Sequence, residues 1–149
     1  MASRWSKPMV YISIAITILA SVLYHFSQKS TPRDANPAVA LLATYAVAAG
    51  LTICLLYFIP AKAGLLSELR RLNWASYLLA VSIVGLEIGF LLVYRSGWSI
   101  GVAAVLVNVV ASLILVPVAI LYFGDQLDWV NVVGIVVCLV GLVLLNWGR

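Results

Sequence analysis

Five runs of apolar residues, each about long enough to cross a lipid bilayer, follow one another with only short polar breaks. They fall near residues 9–27, 37–59, 74–94, 99–123 and 129–147. A helix needs roughly 20 predominantly apolar residues to span a hydrocarbon core about 30 Å thick. The breakers agree with these limits: Pro8 and Pro37 suit first helical turns, Pro60 follows the second run, and Gly97 and Gly124 interrupt the later ones. Trp74, Trp98, Trp129 and Trp147, with Tyr11, Tyr24, Tyr57, Tyr77, Tyr94 and Tyr122, fall close to the run ends, as in an aromatic belt. The expectation is an all-α integral membrane protein, a bundle of five transmembrane helices forming one domain over residues 1–149.

Composition argues against a water-soluble alternative. The chain is 64% hydrophobic and 9% charged, where a soluble globular domain carries about 25% charged residues. Too few polar groups remain to cover a water-facing surface. The net charge is +4, but the basic residues are scattered over termini and loops. That fits membrane-flanking charges and not a phosphate-binding patch, so the expected surroundings are the lipid bilayer and no nucleic acid. The first run reads as a membrane helix and not a signal peptide, being long for an apolar leader and lacking a small-x-small cleavage site before His25. Cys54 and Cys138 sit singly inside apolar runs and read as small packing residues. No Ser/His or paired-Asp constellation at helical spacing, no His-Glu-x-x-His and no cluster of metal ligands occurs, so no enzyme, metal site or cofactor is expected.

Sorting the basic residues by membrane side gives a near balance. Arg4, Lys7, Lys62, Arg70 and Arg71 fall on one side, and Lys29, Arg33, Arg95 and Arg149 on the other. Positive charge favours the cytoplasmic side, so five against four is a weak vote for a cytoplasmic amino terminus. Fixed and dual insertion both remain open.

Glu87 is the only acidic residue inside an apolar run. It lies roughly 20 Å from one end of its run and roughly 10 Å from the other. An ionised, unpaired carboxyl at that depth is costly, so it is expected to face a cavity or partner and to have a function. On a helical projection Ser76, Ala80, Ile83, Glu87, Phe90 and Tyr94 make one stripe, with Ser82, Gly85 and Gly89 nearly opposite. Gly85 and Gly89 form a G-x-x-x-G that admits a neighbouring backbone. Other helices carry polar stripes: Ser13, Thr17, Ser21 and Tyr24 on the first; Tyr45, Ala48 and Thr52 on the second; Gly101, Ala104, Asn108 and Ser112 on the fourth. Pro117 should bend the fourth. Converged on Glu87, these faces would make a polar cavity lined by Tyr45, Phe90, Tyr94, Asn108 and Ser112. The competing reading is that hydroxyls bond back to their own helix and Asn108 joins helices together. His25, at the end of the first run, reads as an interfacial residue more than part of a proton relay. Asp125 and Asp128 suit the start of the fifth helix. The fifth helix offers Gly134, Cys138 and Gly141 as a small-residue packing ridge.

The stretch Phe123, Gly124, Asp125, Gln126, Leu127 and Asp128, followed by Gly134, Gly141 and Asn146, resembles the end of an EamA-like domain of the drug/metabolite transporter superfamily. It also looks like the last loop and helix of small multidrug resistance proteins, in which two glycines seven apart form a dimerisation ridge and an acid follows the loop glycine, as Asp125 does here. From Tyr77 to Pro117 the likeness to the third and fourth EamA helices is one of length and of the small-residue turn at 96–101. Five helices would then be one EamA-like repeat. The resemblance implies a bacterial inner-membrane secondary transporter or exporter of small molecules, proton-coupled; it is the depth of Glu87, not the family's pattern, that suggests an ionised Glu87 holding a cationic substrate. Larger members pair two inverted repeats, so a single repeat implies an antiparallel homodimer or a heterodimer with a paralogue. The alternative is a non-catalytic membrane subunit of a heterodimeric transporter or lipid-linked-sugar flippase. One departure stands out: the multidrug proteins keep an essential glutamate in their first helix, where Thr17 falls here.

Overall fold

The computed structural model describes residues 7–124, 126 and 128–147. The elements are α1 (Lys7–Ser30), α2 (Pro37–Phe58), α3 (Leu65–Arg70), α4 (Trp74–Arg95), α5 (Ile100–Val118), a π-helical turn (Ala119–Phe123) and α6 (Trp129–Asn146). No strand occurs among the described residues. Four stretches are long and apolar enough to cross a membrane: Pro8–Ser30, Pro37–Phe58, Trp74–Arg95 and Ile100–Phe123, with mean hydropathy from 1.9 to 2.7. The chain is therefore a multi-pass membrane protein. The expectation of five spanning helices is met by four. The apolar helix Trp129–Leu145 is shorter, about 25 Å against a core of about 30 Å.

Local chemistry explains the boundaries. Pro37 opens α2, and the Asn36 carboxamide oxygen accepts from the Ala38 and Val39 amides at 2.9 and 3.4 Å. The Asn73 side chain accepts from the Ala75 amide at 3.1 Å at the start of α4. Asp128 does the same for α6, accepting from the Trp129 amide at 2.7 Å; Asp125 lies outside the described residues. These side chains satisfy amide donors that a helix start leaves without partners. Gly97 and Gly124 turn the chain at φ 96° and 70°, in the left-handed region that a Cβ disfavours. Pro117 was expected to bend α5. Two residues beyond it the helix widens into the π turn, closed by the Gly124 amide donating to the Ala119 carbonyl five residues back. Proline offers no amide to the ladder, and the wider turn follows that interruption.

The described residues form two compact units divided between Ser96 and Gly97. In the first, α1 and α2 each pack on α4; in the second, α5 packs on α6. The buried side chains of the first unit are His25, Leu41, Phe90, Leu91 and Tyr94. They gather where the carboxy-terminal turns of α1 and α4 meet the first turns of α2. Elsewhere the spanning helices expose leucine, isoleucine and valine, which costs little where the surroundings are lipid tails.

Cations close this end of the first unit. Lys29 donates to the Tyr94 carbonyl at 3.4 Å and lies 5.7 Å from the centre of the Tyr94 ring. Arg95 Nη2 donates to the carbonyls of Pro32 and Ala35 at 3.0 and 2.8 Å, tying the α1–α2 connection to the end of α4. Hydrogen bonds from a charged donor are each worth about 1.5–3 kcal/mol. The buried Arg95 Nε has no partner, which offsets part of that gain. Arg95→Ala is expected to destabilise the folded chain by about 1–2 kcal/mol, read as a lowered unfolding midpoint in detergent. An unchanged midpoint would show that this staple contributes nothing.

Candidate functional site

Glu87 stands two turns before the end of α4, half-buried. It lines a small cleft with Tyr24, Ser27, Gln28 and Thr31 of α1 and its end, Ala40, Leu41 and Thr44 of α2, and Leu91. Nearly every wall group other than leucine and alanine is an uncharged hydrogen-bonding side chain. The cleft holds about 110 Å³. At about 30 Å³ per water that is room for three or four waters, well below the 300–1,000 Å³ of sites for drug-sized ligands. Because Thr31 lies beyond the last turn of α1, the cleft reaches from the helix-end boundary of the unit inward to Glu87.

Among the described residues, the surroundings of Glu87 supply neutral donors and no paired cation. The hydroxyls of Tyr24 and Tyr45 lie near enough to interact electrostatically with the carboxyl. The Tyr45 oxygen is nevertheless buried without a formed hydrogen bond. It faces Glu87 at a contact short of bonding geometry. Gln28 spans the gap between helices, its amide 3.5 Å from both the Tyr24 hydroxyl and the Glu87 backbone carbonyl. No ion pair to Glu87 occurs among the described residues.

Phe90 and Tyr94 continue the Glu87 stripe as expected, but they serve as packing around His25. His25 is 9% exposed and Tyr94 2% exposed, and the Tyr94 hydroxyl lies 2.9 Å from His25 Nδ1. Phe90 and Tyr94 stack at 5.7 Å, while His25 meets Phe90 edge-on at 4.8 Å and Tyr24 meets Phe90 edge-on at 6.0 Å. His25 is thus a satisfied core histidine, where interfacial placement was expected. Burial of a polar ring is tolerated because its nitrogen has a partner.

Most of the expected polar stripes do not reach the cleft. Ser13, Thr17 and Thr52 are exposed and donate to the carbonyls four residues back, at 2.9, 2.9 and 2.8 Å. Those hydroxyls satisfy themselves along their own helix. Gln28, Ser27, Thr31 and Thr44 were not among the expected site residues. Gln28 continues the spacing of Thr17, Ser21 and Tyr24 by one more turn. Ending the first helix at residue 27 cut that turn away, whereas α1 runs to Ser30.

Asn108 and Ser112 belong to the second unit. They line a larger groove between α5 and α6, about 420 Å³, with Val109, Leu113, Asn131, Gly134 and Cys138 among its walls. Ser112 donates to the Asn108 carbonyl at 2.7 Å. Gly134 and Cys138, expected as dimer packing, therefore share a groove with two of the expected substrate-lining residues. An added Cβ at Gly85, Gly89, Gly134 or Gly141 would meet nothing within 4 Å, so the described chain packs no atoms of its own on either glycine pair. Cys54 and Cys138 are exposed free thiols.

The Tyr45 hydroxyl offers a direct test of this geometry. Burying a hydroxyl without a partner costs about 1–3 kcal/mol on mutational scales. Tyr45→Phe is expected to raise the unfolding midpoint, by an amount corresponding to about 1 kcal/mol. A lowered midpoint would mean that the hydroxyl is bonded to Glu87 in the membrane.

No family model, curated protein or solved structure matches the chain.

Proposed function

We propose that this chain is a secondary transporter of small molecules of the drug/metabolite transporter type, in a bacterial inner membrane. In this reading Glu87 carries the coupling proton, α6 also crosses the bilayer, and a second copy or a paralogue completes the passage. One observation carries the reading: Glu87 sits in a spanning helix and lines a cleft among neutral donors, without a paired cation among the described residues. A carboxyl kept for structure at that depth would be expected to have a basic partner. One surrounded by hydroxyls and an amide can instead exchange a proton as its surroundings change between wet and dry.

Size divides the work. The Glu87 cleft has room for water or a small ion, while the groove lined by Asn108, Ser112, Asn131 and Cys138 falls within the range of organic ligand sites. An organic cation engaging Glu87 would need a wider cleft than this conformation has, as alternating access requires. The open glycine pairs favour a partner helix, which suits both a homodimer and the alternative of a non-catalytic subunit in a heterodimeric transporter or flippase. The test is a pH jump across proteoliposomes containing the chain alone, with a panel of organic cations outside and a pH dye inside. Cation-dependent proton movement is expected. None with the chain alone, but movement once a second membrane protein is added, would favour the subunit reading.

A further inference from the structure

We infer that α3 is an interfacial anchor, lying along the headgroup region of an anionic leaflet with its leucines in the acyl layer and its cations on lipid phosphates. The helix was not foreseen from the sequence, and neither the proposed transport nor Glu87 uses it. Its placement follows from its tethers. It lies between two spanning helices, after Phe58 and before Trp74, and Arg70 is four residues from Trp74. Four residues reach at most about 14 Å, so the end of α3 cannot leave the membrane surface.

Its faces are sorted for that position. Leu65, Leu66 and Leu69 are 57, 65 and 48% exposed, and no residue of α3 is buried. Leu72, 48% exposed, continues the turn through its amide bond to the Leu69 carbonyl. At about 100° per residue the four leucines share one arc of about 120°, with Ser67 and Arg71 on the opposite side and Arg70 at the edge of the arc, next to Leu66. No described part of the protein covers the apolar arc. A bilayer surface offers both layers this helix needs, acyl chains beneath the leucines and phosphates beside the cations.

Charge identifies the leaflet. Lys62, Arg70 and Arg71 flank the leucines against one acid, Glu68, which pairs with Arg71 at 3.4 Å. Lys62 and Arg70 are exposed, with no hydrogen bond or ion pair among the described residues. At the opposite end Lys29 and Arg95 are engaged by backbone carbonyls of the protein itself, which leaves Arg33 exposed there beside the acid Asp34. A basic cluster in which Lys62 and Arg70 are uncommitted, beside an apolar helical face, is what anionic lipid headgroups attract.

The test places a nitroxide at each position from 64 to 72 of the full chain, in a Cys54→Ala, Cys138→Ala background. The vesicles are phosphatidylcholine with one quarter phosphatidylglycerol, and circular dichroism checks that each variant keeps its helical content. Oxygen accessibility is expected to peak at 65, 66, 69 and 72, and a water-soluble nickel reagent at 67 and 71. In pure phosphatidylcholine, and in Lys62→Gln, Arg70→Gln, Arg71→Gln, the oxygen-to-nickel ratio at 66 and 69 is expected to fall by about twofold or more. Nickel access at the leucines equal to that at 67 and 71 would overturn the anchor. Leucine positions shielded from both reagents would overturn it in favour of a protein partner. A ratio indifferent to lipid charge and to the triple substitution would overturn the assignment to an anionic leaflet.

Discussion

Replacing Glu87 with glutamine is expected to reduce pH-driven flux through reconstituted chain to the level of protein-free vesicles while leaving the fold intact. Glutamine matches the volume of glutamate and keeps an acceptor and a donor in the cleft, so the packing of Leu91, Tyr24 and Gln28 has no cause to change. The Gln28 bond is to the Glu87 backbone carbonyl, which the substitution does not touch. What disappears is the ability to gain and lose a proton. The folded chain should be at least as stable as before, because a neutral amide avoids the desolvation cost of a carboxylate in an apolar helix. Glu87→Asp should retain partial flux, since it keeps the proton but withdraws it by one methylene. The measurement pairs flux with an unfolding midpoint. Full flux from a folded Glu87→Gln would remove the residue from the mechanism; lost flux with a lowered midpoint would instead point to a structural role.

The largest stability effect is expected at Tyr94. Its ring is stacked on Phe90 and lies 5.7 Å from the Lys29 ammonium, and its hydroxyl reaches His25 Nδ1. Truncating a buried aromatic residue to alanine costs about 3–5 kcal/mol in soluble cores. In lipid part of that is missing, because the unfolded reference is not water, while the lost dispersion contacts and the cavity remain. Tyr94→Ala is therefore expected near the low end, about 3 kcal/mol. Tyr94→Phe keeps the stack and leaves His25 without its partner, at a cost of about 1–2 kcal/mol. Denaturant titration in mixed micelles would measure both. If Tyr94→Phe proves as damaging as Tyr94→Ala, the hydrogen bond to His25 and not the aromatic stack holds the end of α4.

Helix positions were legible because the signals are local. The expected start at residue 74 matches Trp74, where Asn73 caps the helix, and the start at 37 matches Pro37. Gly97 and Gly124 were readable as interruptions because few other residues turn at positive φ without strain. The short α3 was missed because six residues between two strong apolar runs carry too little periodicity to stand out. Of the five expected spans, four are long and apolar enough to cross, and α6 is the one whose apolar length falls nearest the threshold.

The cleft was only half legible. Glu87, Phe90 and Tyr94 share a stripe of α4 that any helical projection reveals. Their partners could not be read the same way, since which turn of α1 faces α4 depends on packing and not on the composition of α1. Ser13 and Thr17 looked as eligible as Tyr24, yet they bond to their own helix, and the two lower turns of that stripe are exposed.

The sequence by itself determined that this chain lives in a membrane, where most of its helices begin and end, and that Glu87 needs a reason. Those conclusions rest on solvation and on backbone hydrogen bonding, which act residue by residue. Only the tertiary structure decided that the Glu87 carboxyl lies near Tyr24 and Tyr45, that Gln28 reaches the Glu87 backbone carbonyl, that His25 is packed against Tyr94, and that Asn108 and Ser112 share a groove with Gly134. Those depend on how helices rotate and shift against one another. In an apolar chain many rotations bury similar surface, and the choice falls to a few polar contacts and ring stacks spread across distant turns.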